Sequence, residues 1–184
     1  MIPMARTSGR LTTAATSGHI LEMIRTGTAT SRAEIARTTG LSRPSVALRV
    51  TELLDNGLVV EGTGAASSGG RPPTLLEFNA DSGLILACAL GKARSQAAVC
   101  DLNGEVLVRT PGCPDMDKGP DHAVPWLLDT WTEQLTSLGR DPADVRGAGI
   151  GLPGTVEFRA GHVEDPPFLG AWAGVALAPL VFEH

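Results

Sequence analysis

Apolar side chains first recur at helical spacing just after residue 18, where Ile20, Leu21 and Ile24 share one face until Gly27 closes a short helix. The preceding residues, 1–17, are small, polar and aperiodic, and read as a loose arm. Ser31 followed by Glu34 has the spacing of a capping box, in which two side chains satisfy the orphan amides of a helix start. The helix it opens buries Ile35 and Ala36 and stops at Thr39-Gly40. Ser42 is a good N-cap for a third helix, with Pro44 tolerated in its first turn. That helix turns Val46, Val50, Leu53 and Leu54 to the core and ends at Asn56-Gly57. Residues 58–61 and 74–78 then read as two short strands joined by a tip of small residues, which describes a wing.

Beyond residue 81 the pattern changes. Residues 84–90 and 95–101 are continuous apolar runs, and Asn103-Gly104 is a tight hairpin signal ahead of a strand over 105–109. A Pro-, Gly- and Asp-rich loop, 111–121, leads to a helix carrying Val124, Leu127, Leu128, Trp131, Leu135 and Leu138. Residues 145–152 read as a buried strand ending in Pro153-Gly154. The order is β-β-β-α-β, with 155–184 expected mostly as loop and a helix starting near Ala178. No internal repeat is visible.

Charge divides the chain where the pattern does. Residues 1–73 hold eight arginines against five acids, and the remainder holds seven cations against fifteen acids. A basic head on an acidic body places any polyanionic partner at the head. Hydrophobic residues at 42% exclude a disordered chain, and no apolar stretch reaches the length of a membrane span. Three cysteines without C-x-x-C spacing, and no apolar block near the N-terminus, fit a cytoplasmic protein. His19, His122, His162 and His184 are isolated, so no metal, cofactor or catalytic set is expected.

Counted from Arg32, Ala36 is position five, Gly40 position nine and Val46 position fifteen. A helix-turn-helix needs a small residue, a positive-φ residue and a buried aliphatic at those places. Residues 18–80 are therefore expected as a winged helix-turn-helix, with residues 42–49 of the third helix entering the major groove. The expected DNA contacts are Ser31, Arg32, Ser42, Arg43, Pro44, Ser45, Leu48, Arg49 and Arg71. Ser42 and the helix N-terminus favour a phosphate, and Arg43 can reach a guanine edge or a phosphate. Pro44, Ser45, Leu48 and Glu52 face away from the core. The outward Leu48 meets either a thymine methyl or a partner chain. Arg49 flanks the face as a phosphate contact, while Glu34 and Glu52 read as solubilising groups. Arg71, in Gly-Gly-Arg-Pro-Pro, fits insertion into an A·T-rich minor groove, the alternative being a hinge with an incidental arginine.

The segment SRAEIARTTGLSRPSVALRVTELLDNGLVVEGT, followed by GGRPPTLLEFN, resembles the head of the ROK family of repressors and sugar kinases. GLILACALGKARSQAAVCDLNGEVLVRT is similar to that family's first phosphate-loop hairpin. GAGIGLPGTVEFRAGHVEDPPFLGAWAGVALAPL is similar to the stretch before its sugar-site residues. The resemblance runs from about residue 18 onward. It implies a winged helix-turn-helix followed by an actin-like, ribonuclease H-like lobe over 81–184, an α+β head on an α/β body. Where the family's kinases carry D-x-G-G-T against phosphate and metal, this chain has Ala89, Gly91, Lys92 and Ala93 at the acid, the glycines and the threonine. Without the carboxylate, ATP use is not expected.

The resemblance also implies a longer lobe, with an Asn-Asp pair, a Glu-x-x-His and a cysteine-rich zinc motif that do not occur here. The lobe is thus expected to be partial and truncated near the cleft. Gly151, Pro153 and Gly154 either line what remains of a sugar pocket or form a plain turn, and the turn is preferred. The function implied is a sequence-specific DNA-binding regulator, a repressor of carbohydrate-utilisation genes. It would act as a homodimer on a palindrome with a sugar effector. The alternatives are a ROK sugar kinase, or a truncated fragment without function.

Overall fold

The computed structural model describes residues 16–62, 74–157, 161–164 and 169–182. The chain divides into two compact units, with the boundary between Ser82 and Gly83.

The first unit holds α1 (Ser17–Arg25), α2 (Arg32–Thr39), α3 (Arg43–Asp55) and an antiparallel pair, β1 (Val59–Gly62) with β2 (Leu75–Phe78). Helix α1 begins inside the expected arm, because Thr16 caps it by accepting from the His19 amide. Ile20, Ile35, Val50 and Leu76 are fully buried in one core with Met23, Ile24, Val46, Leu53 and Val59. Each such aliphatic side chain removed from water stabilises the unit by about 1.5–3 kcal/mol before entropy is counted. Leu54, expected on the core face, is only partly buried against it. The Leu76 amide donates to the Thr30 carbonyl at 2.7 Å, tying the wing to the entry of α2. Asn79 closes the unit, its side-chain amide donating to the Gly57 carbonyl at 2.9 Å.

The second unit is a mixed four-stranded sheet of β3 (Leu84–Ala89), β4 (Ser95–Asp101), β5 (Val106–Gly112) and β6 (Val145–Gly151), ordered β5-β4-β3-β6. β6 lies parallel to β3, and the other pairs are antiparallel. The crossover between β5 and β6 is α4 (Pro120–Ser137). At the β4–β5 turn the Asp101 carboxylate accepts from the Asn103 and Glu105 amides at 2.9 and 2.8 Å, and Gly104 takes φ +84°. Helix α4 lays Val124, Leu127 and Trp131 into a core with Cys88, Leu90, Ala97, Met116 and Trp172. Two indoles donate hydrogen bonds within this core. Trp131 donates to the Ala87 carbonyl at 3.2 Å, and Trp172 to the Met116 carbonyl at 2.8 Å. Burial in this core pushes the Cys88 thiol up to about 12.

Three expectations are corrected. β5 runs to Gly112 rather than stopping at 109. It is an edge strand, where a proline such as Pro111 is tolerated, and a Cβ at Gly112 would collide with the Trp126 indole. The expected loop 111–121 contains a 3₁₀ turn, Met116–Lys118. The expected loop after 155 contains a hairpin, β7 (Thr155–Glu157) with β8 (His162–Glu164), while the helix expected near Ala178 is present as α5 (Leu177–Phe182). Val163 is buried, and its amide and carbonyl bond to Val175 and Gly174, so tertiary contacts hold strands too short for sequence alone.

Candidate nucleic-acid interface

Helix α2 starts on a complete capping box. The Ser31 hydroxyl accepts from the Glu34 amide at 3.3 Å, and the Glu34 carboxylate accepts from the Thr30 and Ser31 amides at 3.0 and 3.1 Å. Those donors, Thr30 first, hold the Glu34 carboxyl below the usual glutamate range. The turn between α2 and α3 depends on Gly40, at φ +71°, whose amide donates to the Ala36 carbonyl at 2.9 Å. A side chain there would meet open space, so glycine is favoured by backbone conformation and not by crowding. Val46, beneath the turn, is buried among Ile35 and Val50.

Helix α3 is capped by Ser42, whose hydroxyl accepts from the Ser45 amide at 3.3 Å and lies 2.8 Å from the Ser45 hydroxyl. Pro44 sits in the first turn, which carries no acid, so the positive end of the helix is not neutralised. Arg43 and Pro44 are exposed, and Ser45 and Arg49 are half-buried. Leu48 is 65% exposed. These six residues, Ser42 to Arg49, form one face and end of a single helix. Arg43 and Arg49 have no ion-pair partner among the described residues.

The other expected contacts are placed differently. Ser31 is buried, with its hydroxyl engaged in the cap. Arg32 donates to Glu61 of β1 at 2.8 Å. Glu52, read from sequence as a solubilising group, accepts from the Ser17 hydroxyl at 2.7 Å and links α1 to α3. Arg71 lies outside the described residues.

In the second unit, the carboxyl ends of the parallel neighbours β3 and β6 open into a cleft of about 670 Å³. Its lining includes Ala89, Leu90, Lys92, Gly151, Pro153 and Leu169, but not Gly154. Crevices outside the carboxyl ends of parallel strands are habitual ligand sites, and this volume suits a small molecule. Lys92 pairs with Asp117 at 2.9 Å, and the Gly91 amide donates to the buried Ser95 hydroxyl at 3.2 Å. Leu90, Leu152 and Leu169 line this cleft, and the sequence carries no signal for them beyond two apolar runs that end at Leu90 and Leu152. Among the described residues no group of His, Cys, Asp or Glu side chains is arranged to hold a metal.

Residues 15–60 match the winged helix-turn-helix DNA-binding family. The chain is 30% identical over 151 residues to a xylose repressor of Caldicellulosiruptor bescii, covering 82% of this chain and 38% of that protein. It is 28% identical over 127 residues to the xylose repressor of Bacillus subtilis, covering 69% and 33% respectively. A solved structure of a ROK family transcriptional regulator, described as a homologue of the E. coli MLC protein, superposes with a TM-score of 0.68 at 26% identity. That match covers 91% of this chain and 42% of the other. The chain thus spans well under half the length of these relatives.

Proposed function

Because this chain belongs to the ROK family of transcriptional regulators, with a winged helix-turn-helix at its N-terminal end, we propose that it binds duplex DNA and regulates transcription. The observation that carries the reading is the 65%-exposed Leu48 on a helix whose N-terminus is capped by Ser42 and which also carries Arg43 and Arg49, neither in an ion pair among the described residues. An aliphatic side chain there has no use in water but can meet a thymine methyl, while the cations and the helix end take phosphates. Ser42, Arg43, Pro44, Ser45, Leu48 and Arg49 form the major-groove face. Arg71 adds a minor-groove contact from the wing, and two copies read a palindrome. Ser31 and Arg32 support this face from the start of α2.

The effector reading is that a pentose, as the relatives' name of xylose repressor indicates, occupies the cleft beside Gly151 and Pro153 and shifts the protein between states of different DNA affinity. Regulation rather than sugar phosphorylation is supported by Ala89, which the family resemblance aligns with the metal-directed carboxylate of the kinases.

Anisotropy titrations on duplexes from the neighbouring promoter, over a salt series, test the DNA reading. Binding that discriminates one sequence and weakens log-linearly with salt is expected. Retention of no duplex even at low salt overturns it. Adding D-xylose to the preformed complex tests the effector reading, with release as the expected outcome and an unchanged isotherm as the contrary one.

A further inference from the structure

Four arginines lie on or beside the two helices of the DNA-binding motif, and the structure treats one of them differently. Arg43 and Arg49 carry no ion pair among the described residues, and Arg37 faces solvent at the end of α2. Arg32, the first residue of α2, is instead held by the Glu61 carboxylate, 29 residues away on the first strand of the wing, at 2.8 Å. Both side chains stay more than one-third exposed, so the contact is not a buried structural bridge. An exposed pair of this kind adds little to folding. It lies between the start of α2 and the strand that leads into the wing, and on the DNA-binding reading Arg32 would otherwise be free to take a phosphate.

We propose that Glu61 acts as an internal competitor for phosphate, occupying Arg32 so that the protein binds duplexes more weakly than its cations would allow. The inference rests on the DNA-binding reading above. A guanidinium accepts a carboxylate or a phosphate with the same fork of donors, so the two are alternative partners. Replacing Glu61 by glutamine keeps the side chain's size and removes the charge that holds Arg32. The freed guanidinium then neutralises one more phosphate, which steepens the salt dependence by about 0.9 in log–log slope.

The test is a double-mutant cycle on the full chain, with wild type, Glu61→Gln, Arg32→Ala and the double variant titrated against a labelled duplex of mixed sequence across a salt series. Glu61→Gln is expected to bind several-fold more tightly at low salt with the steeper slope. That gain should vanish when Arg32 is alanine. The same gain in the Arg32→Ala background would assign it to general loss of negative charge and overturn the proposal, as would no gain at all. Failure of the wild type itself to bind any duplex would remove the DNA-binding reading first, and this inference with it. Circular dichroism melts of the four proteins exclude misfolding as the cause, since both side chains are exposed.

Discussion

Leu48 and Glu34 show how differently two residues of one motif are committed. Leu48 contributes little buried area to its own unit, so Leu48→Ala should leave the melting behaviour within about 0.5 kcal/mol of wild type. The same substitution should reduce discrimination between a cognate and a scrambled duplex, measured as the ratio of their dissociation constants. A ratio that does not change would move Leu48 to a protein–protein contact. Glu34 works the other way round. Its carboxyl is held below the usual range because the Thr30 and Ser31 amides bond its ionised form, so the folded state favours ionisation. The stabilisation is complete above the ordinary glutamate value of about 4.3 and is lost as pH falls through the depressed one. Urea midpoints taken at about pH 6 and about pH 3 should therefore drop by less in Glu34→Gln than in wild type. The sequence made both residues legible, since a capping box is local chemistry and an outward leucine follows from helical spacing. Arg32's partner was not legible, because nothing local points from residue 32 to residue 61.

At the scale of elements, the turn between α2 and α3 sets their crossing, and its weak point is the left-handed Gly40. Gly40→Val should destabilise the first unit by about 1–2 kcal/mol, chiefly through backbone strain, since an added Cβ there has nothing within 4 Å. Gly40→Asn should cost less, because asparagine tolerates that conformation. Thermal melts that rank valine and asparagine equally would argue against a conformational origin. Ile35→Ala, by contrast, empties a fully buried site and should cost about 2–5 kcal/mol. The three helices and the first six strands were legible because caps, glycine stops and apolar runs sit at their ends. The β7–β8 hairpin was not. Its three-residue strands alternate only around Val156 and Val163, and their pairing depends on backbone bonds from Val175 and Gly174 that arrive from later in the chain. Of the cleft, Gly151 and Pro153 are legible in the sequence, though as a turn more than a lining. Leu169 joins the lining from beyond the β7–β8 hairpin, far from Gly151 and Pro153 in local sequence pattern.

For the whole molecule, the distribution of chromophores gives a direct handle on the two units. The chain has three tryptophans, Trp126, Trp131 and Trp172, and no tyrosine. All three lie in the second unit. Intrinsic emission therefore reports the unfolding of that unit alone, whereas far-ultraviolet circular dichroism reports both. Denaturation followed by the two signals should give different midpoints if the units melt separately, and coincident curves if they melt as one. Ile35→Ala should move only the dichroism transition in the first case. The parallel pairing of β3 with β6 also bears on synthesis. Leu84 is partnered by Val145, and the strands between them form an antiparallel meander of close sequence neighbours. On the ribosome, residues up to 82 are available to condense early, and the meander can curl soon after. One edge of β3 waits, its amides unsatisfied, while residues 90 to 144 emerge and α4 carries β6 back to it. That interval, more than any property of the finished fold, is when a nascent chain of this kind is most in need of a chaperone.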